Sequence, residues 1–459
     1  MKNNKNKLVF ILICAVYILC VLLIPAINYL RNLTGDYNFP PLVKEVRYPT
    51  LLLFLVFFIA YGFYLKFRSK YFPNTNWTLY GALVLFLGIF ACTIYPIFSI
   101  DLYEFIMRGR IWSLYKVNPY LHPPSDFKND LFYSIIFWKF QPMAYGPVWT
   151  WLLWLPTKLA GNSVFLNQFF MKLVLFIVYL LSAQQVYRLA KLFELKNPIV
   201  YCEAFLLNPF MVVSILVDGH NDIVMTFFLL WSLVELKKGR DLLSLALLVL
   251  SVLTKYVTAV FVPLYVLYYW FKYKGISKKS FFALKATALS LIVAALVFKP
   301  FWAGLQTFQG ITSVGKSFHD NTITYLIFKA ISLFARGLPD NVFMSVSQFT
   351  FVLFYIIILI AFSRTSRGVK DVNKAVVLTF GAYFALGSFQ FGSWYLVWIV
   401  PFILFTGFPM AFLLQALVSF AALISFWKRI SLLLVAAMIV YFVLYFIYNR
   451  SRKIKPEAI

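Results

Sequence analysis

The amino-acid sequence predicts an all-α protein that crosses a membrane many times. Three observations support this class: 62% of the 459 residues are hydrophobic, the mean hydropathy is +0.82, and charged residues make up only 13%. A soluble chain of this length needs far more polar surface. The 52 Phe, 29 Tyr and 12 Trp residues suit helices in lipid, with aromatic side chains at the interfaces.

The net charge of +26 does not indicate a nucleic-acid partner, because the basic residues fall in short clusters between apolar runs. Clusters of this kind follow the positive-inside rule and attract anionic lipid headgroups. The four cysteines also lie inside apolar runs and show no spacing typical of a metal site. We therefore expect the lipid bilayer as a partner and no nucleic acid.

The apolar runs predict about 13–14 transmembrane helices that form a single domain over residues 1–459. Lysines near the N-terminus place it in the cytoplasm, and residues 8–24 are interpreted as an uncleaved span. The predicted spans are 8–30, 49–66, 77–98, 164–187, 198–217, 223–236, 242–254, 257–271, 284–301, 341–363, 374–390, 396–409, 411–427 and 431–448.

The basic clusters test the orientation of these spans. They all fall on the predicted cytoplasmic side, at 188–196, 237–240, 272–285, 364–374 and 450–455. We therefore expect a multi-pass protein of the cell membrane with both termini in the cytoplasm. Residues 99–144, with short amphipathic helices, form the predicted outer catalytic loop, and residues 302–340 form a second outer loop.

Residues 145–161, YGPVWTWLLWLPTKLAG, are apolar enough to resemble a further span. If they crossed the membrane, every later basic cluster would lie outside. We therefore interpret them as an outer-surface or re-entrant helix packed against protein, which is allowed where the backbone does not face lipid.

Residues 101–120, DLYEFIMRGRIWSLYKVNPY, carry unusually many polar groups for this chain. Asp101, Glu104 and Arg108 share one helical face, and Asn118-Pro119 predicts the end of that helix. We expect a short helix just outside the membrane that carries a catalytic carboxylate. The alternatives to a catalytic role are that these side chains are ordinary polar residues at the membrane interface or that they form a plain salt bridge.

Other polar groups fall on the same predicted side. The sequence DGHND at 218–222 lies between two apolar runs, where ionisable groups are costly and indicate function. Lys255 ends a short apolar run, and snorkelling is its alternative explanation. Trp394 and Tyr395, taken singly, are typical of interface anchors. The remaining polar candidates are Arg110, Lys316, His319, Asp320 and Gln390.

This set of side chains suits transfer of a sugar from a lipid phosphate. One carboxylate can act as general base on an acceptor hydroxyl in a single inverting displacement. Arg, Lys and His donors can stabilise the phosphate that leaves. His220 with Asp218 and Asp222 leaves a divalent cation open, but three side chains within five residues cannot close a metal site, so no cofactor is expected. The common nucleotide, zinc-protease and serine-hydrolase motifs are absent from the sequence.

Several short motifs occur together in one order: the carboxylate helix, NPY at 118–120, YGPVW at 145–149, NPF and GHND between 208 and 222, TKY at 254–256, and WYLVW at 394–398. This ordered set resembles the polyprenol-phosphate-mannose-dependent α-(1→6)-mannopyranosyltransferase family, within the GT-C class of integral membrane glycosyltransferases.

The resemblance implies an inverting hexosyltransferase, a mannosyltransferase that uses a polyprenyl-phosphate-linked sugar donor and a glycolipid or glycan acceptor on the outer face. It implies a GT-C-like bundle of transmembrane helices and Asp101 as the catalytic base. The expected substrate-binding residues are Glu104, Arg108, Arg110, Tyr145, His220, Asn221, Asp222, Lys255, Trp394 and Tyr395. The acidic pair Asp101 and Glu104 departs from the DxD spacing common in GT-C enzymes.

Two alternatives remain at this point. A flippase for lipid-linked sugars or a secondary transporter would also use short helices and a polar cluster, although no internal repeat is visible in the sequence. A ligase that transfers a preassembled glycan is the weaker alternative.

Overall fold

The computed structural model describes residues 11–24, 44–71, 77–314, 331, 340–365, 367–388, 392–406 and 419. Within these residues the secondary structure is helical and contains no β-strand, which confirms the predicted all-α class. They fall into two compact units: Met1–Val262 with Tyr273–Ser317, and Pro263–Lys272 with Phe318–Ile459.

The first unit contains most of the long helices. They are α1 (Ile11–Ile24), α2 (Lys44–Tyr71), α3 (Trp77–Thr93), α4 (Asp101–Ser113), α5 (Pro147–Ala160), α6 (Val164–Leu192), α7 (Pro198–Leu206), α8 (Pro209–Val217), α9 (Asp222–Lys237), α10 (Asp241–Val252), α12 (Ile276–Phe298) and α13 (Gln309–Val314). Three short 3-10 helices accompany them, at Pro124–Phe127, Tyr256–Phe261 and Gln306–Phe308.

The second unit is smaller in its described part. Its helices are α11 (Val262–Lys272, which starts at the end of the first unit), α14 (Asp340–Ser363), α15 (Val369–Ala382), the π-helical turn Tyr383–Gly387, the 3-10 helix Ser393–Trp398 and α16 (Val400–Ile403). Helices α14, α15 and the π-helical turn pack against one another.

Three described helices are long and apolar enough to cross a membrane: Val164–Leu192, Ile276–Phe298 and Ser345–Ser363. The bent pair α7 and α8 adds a fourth if it counts as one span. Other predicted spans coincide with apolar helices of 10–17 residues, such as Ile11–Ile24 and Asp241–Val252. Apart from residue 419, the predicted spans at 411–427 and 431–448 lie outside the described residues, so the total number of transmembrane helices stays a prediction.

The predicted span 198–217 is not one continuous helix. The structure divides it into α7 and α8, which meet at an angle of 44°. Pro209 has no N–H to continue the helical hydrogen bonds, and Asn208 caps α8 by accepting from the backbone N–H groups of Phe210 and Met211 at 3.0 and 3.3 Å. Asn-Pro therefore ends one helix and starts the next.

The break leaves carbonyl groups at the end of α7 without helical partners. Tyrosine hydroxyls from three other helices donate to them. Tyr17 of α1 donates to Leu207 O at 2.7 Å and Tyr61 of α2 to Ala204 O at 2.5 Å. Tyr179 of α6 donates to Phe205 O and Leu206 O at 2.7 and 3.0 Å. These bonds make a broken helix compatible with an apolar interior.

Helix α5 contains 14 residues, and at about 1.5 Å per residue it is roughly 21 Å long. It is too short for a straight crossing of a hydrocarbon core of about 30 Å. It packs against α4 and α6, and its buried Trp149 contacts Phe105 of α4 with ring centroids 5.2 Å apart. This packing fits the predicted surface or re-entrant helix, whose side of the membrane stays a prediction.

Helix α4 begins at Asp101 as predicted but ends at Ser113, five residues before the expected stop at Asn118. The chain turns at Lys116, which adopts a positive φ of 59°. The Asn118 amide instead holds a loop, since its Nδ2 donates to Phe301 O at 2.9 Å and its Oδ1 accepts from the Tyr120 N–H at 3.0 Å.

Replacement of Tyr179 by Phe should destabilise the protein by about 1–3 kcal/mol, because Leu206 O would lose the Tyr179 hydroxyl as donor and Phe205 O would keep only the backbone N–H of Asn208. Thermal unfolding in detergent measures this change. Tyr187→Phe on the same helix is the control, since Tyr187 is exposed, and its unfolding temperature should stay unchanged. Equal unfolding temperatures for both variants would contradict the role given to Tyr179.

Candidate active site

The carboxylate of Asp101 meets the imidazole of His220 in the first unit. Asp101 is the first residue of α4, and His220 lies in the loop between α8 and α9. Asp101 Oδ2 and His220 Nδ1 are 3.4 Å apart. Although 118 residues lie between them in the sequence, the structure brings these two predicted site residues into direct contact.

Lys255 forms a second charged pair beside this one. Its Nζ donates to Asp222 Oδ1 at 2.6 Å and lies 5.6 Å from the ring centroid of Tyr145, a cation–π contact. Its charge also acts on Asp101. The structure therefore groups Asp101, His220, Asp222, Lys255 and Tyr145, as the sequence predicts.

Backbone hydrogen bonds hold the two sequence segments of this group together. The Gly146 N–H donates to Thr254 O at 3.0 Å, and the Val148 N–H donates to Leu253 O at 3.0 Å. We call this pair of bonds the backbone latch. A Cβ atom on Gly146 would lie 2.0 Å from Leu253 O, so only glycine allows this approach.

Gly219 allows the loop before His220 to reach α4. Its φ is +78°, in the left-handed region that favours glycine. A Cβ atom there would lie 2.8 Å from Leu102 Cδ1. The backbone conformation therefore favours glycine immediately before the imidazole that meets Asp101, and a larger residue would also displace the Leu102 side chain.

The surroundings of Asp101 favour its ionised form. Burial alone would raise the pKa of Asp101, but the polar contact with His220, the charges of His220 and Lys255 and an interaction with Ser99 outweigh it. The pKa of Asp101 therefore lies below its ordinary value, and the side chain is a carboxylate at neutral pH.

Each of the two charged pairs has one accessible member and one buried member. The Asp101 side chain is 25% exposed and His220 is fully buried behind it. Lys255 is 16% exposed, whereas Asp222 is 1% exposed. A substrate can therefore reach one anionic and one cationic group, and each is held in place by a partner that the substrate does not reach.

Glu104 and Arg108 form a buried pair of a different kind. Their side chains meet at 2.7 Å and are 5% and 6% exposed. Glu104 Oε1 accepts from the backbone N–H groups of Phe137 and Trp138 at 2.5 and 2.7 Å, and Arg108 donates to Trp138 O and Gln141 O. The two side chains hold the loop at 137–141, so the salt-bridge alternative fits them better than substrate binding.

Arg110 is also engaged by protein groups. Its Nε donates to Asp130 Oδ2 at 2.9 Å, and its other nitrogens donate to Gly161 O and to Asn162 Oδ1. The guanidinium group lies 5.4 Å from the ring centroid of Phe132. With its donors occupied and its side chain 3% exposed, Arg110 acts as a structural clamp between loops.

Asn221 lies between His220 and Asp222 and is 1% exposed. Its amide nitrogen and oxygen have no hydrogen-bond partner among the described residues. Substrate binding by Asn221 stays a prediction. Among the residues that the structure describes, no three His, Cys, Asp or Glu side chains lie close enough together to hold a metal ion.

Trp394 and Tyr395 lie in the second unit, on the 3-10 helix Ser393–Trp398. Their rings contact each other at 5.9 Å, and Tyr395 stacks on Trp398 at 4.5 Å. Substrate binding by Trp394 and Tyr395 stays a prediction. The candidates Lys316, His319, Asp320 and Gln390 lie outside the described residues.

The structure adds polar residues that the sequence interpretation missed. Lys172 and Gln168 lie on α6, are fully buried, and bind backbone carbonyls of the segment that leads to α4. A lone lysine inside the apolar run 164–187 was the available signal, because intramembrane lysines are rare and indicate function. Asp218 belongs to the predicted DGHND cluster, but its position in the sequence did not show that its carboxylate binds the backbone N–H groups of Ile97 and Phe98.

Replacement of Gly146 by Ala should break the backbone latch and destabilise the protein by about 1–3 kcal/mol, the usual range for overpacking. Thermal unfolding measures the loss. Gly81→Ala is the matched control, because Gly81 lies in a helix with open space around its Cβ position and alanine favours a helix. The proposed latch would be contradicted if Gly146→Ala were as stable as this control.

Two comparisons with known proteins bear on this site. Residues 55–271, just under half of the chain, match the model of the alpha-(1→6)-mannopyranosyltransferase N-terminal domain. Alpha-(1→6)-mannopyranosyltransferase A of Corynebacterium glutamicum is 25% identical over 187 residues, which are 40% of this chain and 37% of that protein. The matched domain includes Asp101, Tyr145, His220, Asp222 and Lys255. Residues 55–271 are therefore similar to the alpha-(1→6)-mannopyranosyltransferase N-terminal domain, the same family that the ordered motifs resemble.

Proposed function

We propose that this protein is an inverting GT-C glycosyltransferase that transfers mannose from a polyprenyl-phosphate donor to a glycolipid or glycan acceptor. The single observation that carries the proposal is that one site holds an accessible carboxylate, Asp101, and an accessible ammonium group, Lys255, whose charge acts on that carboxylate. The family match over residues 55–271 supports the choice of mannose.

In this mechanism Asp101 takes the proton from an acceptor hydroxyl, and the oxygen attacks the anomeric carbon of the donor sugar. The bond between that carbon and the phosphate oxygen breaks, and its electron pair leaves with the phosphate. Lys255 stabilises the charge that develops on the phosphate. The product is a glycosidic bond of inverted configuration, and the proton remains on Asp101 until solvent removes it.

The buried partners orient these two groups. His220 contacts the Asp101 carboxylate from behind, and Asp222 accepts a hydrogen bond from Lys255. Tyr145 lies under the Lys255 ammonium group and lines the site. Glu104, Arg108 and Arg110 are not part of this proposal, because their polar groups bind protein. No metal ion is required for these steps, and the proposed site faces the outer side of the cell membrane.

Replacement of Asp101 by Asn should abolish transfer, with a loss of about 100- to 10,000-fold, because the amide cannot take up the proton. Incorporation of radiolabel from polyprenyl-phosphate mannose into membrane glycolipids measures the activity. Asp126→Asn is the control, since Asp126 is an exposed carboxylate of the same non-spanning region, and it should remain active.

Full activity of the Asp101→Asn variant would exclude Asp101 as the base. Movement of the labelled donor across the membrane without a new glycosidic bond would instead favour the transport alternative. The broken helix formed by α7 and α8 also suits a transporter, so both products should be measured in the same membranes.

The pH dependence of kcat/KM should respond to His220. The base works when ionised, and the contact and charge of His220 lower the pKa of Asp101 against the effect of burial. Replacement of His220 by Ala should therefore raise this pKa and move the acidic limb of the profile to higher pH. His220→Asn keeps a polar group near the Nδ1 position and should move the limb less.

His122→Ala controls for a general effect of removing an imidazole. His122 is exposed and pairs with Asp126 rather than with the site. The acidic limb of the pH profile of His122→Ala should therefore coincide with that of the wild type. An acidic limb that stays in place in His220→Ala would show that His220 does not set the pKa of the base.

A further inference from the structure

Lys172 is a fully buried lysine on the apolar helix α6. Its Nζ donates to the backbone carbonyls of Ile94 and Val217, and its charge is attracted to Asp218. A buried charge without such partners would be strongly destabilising. The partners show where this lysine acts, because they come from the two chain segments that carry Asp101 and His220.

Asp218 holds the first of these segments directly. Its Oδ1 accepts from the backbone N–H groups of Ile97 and Phe98 at 2.8 and 3.0 Å, and its side chain is fully buried. Ile97 and Phe98 precede Asp101 by four and three residues. The carboxylate of Asp218 is therefore fixed to the chain immediately before the proposed base.

The segment 94–98 has no regular secondary structure of its own. It connects the end of α3 to the start of α4, and side chains from elsewhere hold its backbone. Lys172 binds its first carbonyl, Gln168 Nε2 donates to the same Ile94 O at 3.1 Å, and Asp218 binds its last amides. We call this set of bonds the buried tether.

The buried tether and the imidazole share one short loop. Asp218 is two residues before His220, and the His220 N–H donates to Ser214 O at 3.0 Å. Lys172 binds the carbonyl of Val217, which begins this loop. Displacement of the tether would therefore move Asp101 and His220 relative to each other.

We propose that Asp218 and Lys172 are positioning residues that fix the Asp101 carboxylate against His220, an inference that rests on the proposed transferase function. Both side chains are fully buried, so neither touches the substrate. They act through the backbone that they hold. Small displacements of a reacting group, on the order of 1 Å, can cost about 100-fold in rate.

Two double variants separate positioning from simple neutralisation of buried charge. Asp218→Asn with Lys172→Gln removes both charges but keeps an acceptor for Ile97 and Phe98 and donors for the two carbonyls. Asp218→Ala with Lys172→Met removes both charges and all of these hydrogen bonds. The net charge is the same in both double variants, so any difference between them reports on the hydrogen bonds.

We expect the Asn/Gln pair to retain kcat within about fivefold of the wild type. The Ala/Met pair should lose roughly 30- to 100-fold in kcat, while KM for polyprenyl-phosphate mannose changes by less than about threefold, because the residues do not contact the donor. Equal losses in both pairs would assign the effect to charge and overturn the proposal. Wild-type kcat in the Ala/Met pair would overturn it as well.

Amide hydrogen exchange of the wild-type protein gives a second readout that does not depend on transfer. The amides of Ile97 and Phe98 should exchange at least about 100-fold more slowly than amides of an unbonded loop. Rapid exchange would overturn the proposal even if neither double variant accumulates. Failure of the wild type to transfer mannose would count against the proposed function, and slow exchange would still show that the tether exists.

Discussion

Compensation of buried charge is the constraint on which this structure depends. An ionised side chain inside an apolar helix bundle is strongly destabilising unless hydrogen bonds and an opposite charge replace water. The described residues meet this requirement with carboxylates and cations from distant parts of the chain. Lys172 binds backbone carbonyls of two segments, Asp218 in one of these segments binds backbone amides of the other, and Lys255 binds Asp222. The need for compensation therefore brings distant segments together at one place.

The charged pairs divide according to access. Glu104 with Arg108 and Arg110 with Asp130 are buried on both sides and hold loops. The two pairs at the candidate site keep one member accessible to solvent. This difference separates the two pairs at the candidate site from the two pairs that hold loops, since a group that reacts with a substrate must be reached and yet stay fixed.

Much of the fold and part of the site could be predicted from the sequence. Hydrophobic runs located most of the helices, and the polar island at Asp101 and the GHND motif gave residues that do meet. The roles of Glu104 and Arg108 could not be predicted, because their partners are backbone groups about 30 residues away and helical periodicity carries no information on such contacts. Two features had a local signal in the sequence: the Asn208-Pro209 pair for the helix break, and a lone lysine in an apolar run for the buried Lys172. The length and hydrophobicity of the surrounding runs obscured both signals.

The backbone latch has a consequence for how relatives of this protein can diverge. Its hydrogen bonds join main-chain atoms of 146 and 148 to those of 253 and 254, so they place no demand on most side chains nearby. Only the size of residue 146 is restricted. Two chains can therefore share the local architecture of this site while differing at most positions, and a low overall identity is a poor measure of whether they do.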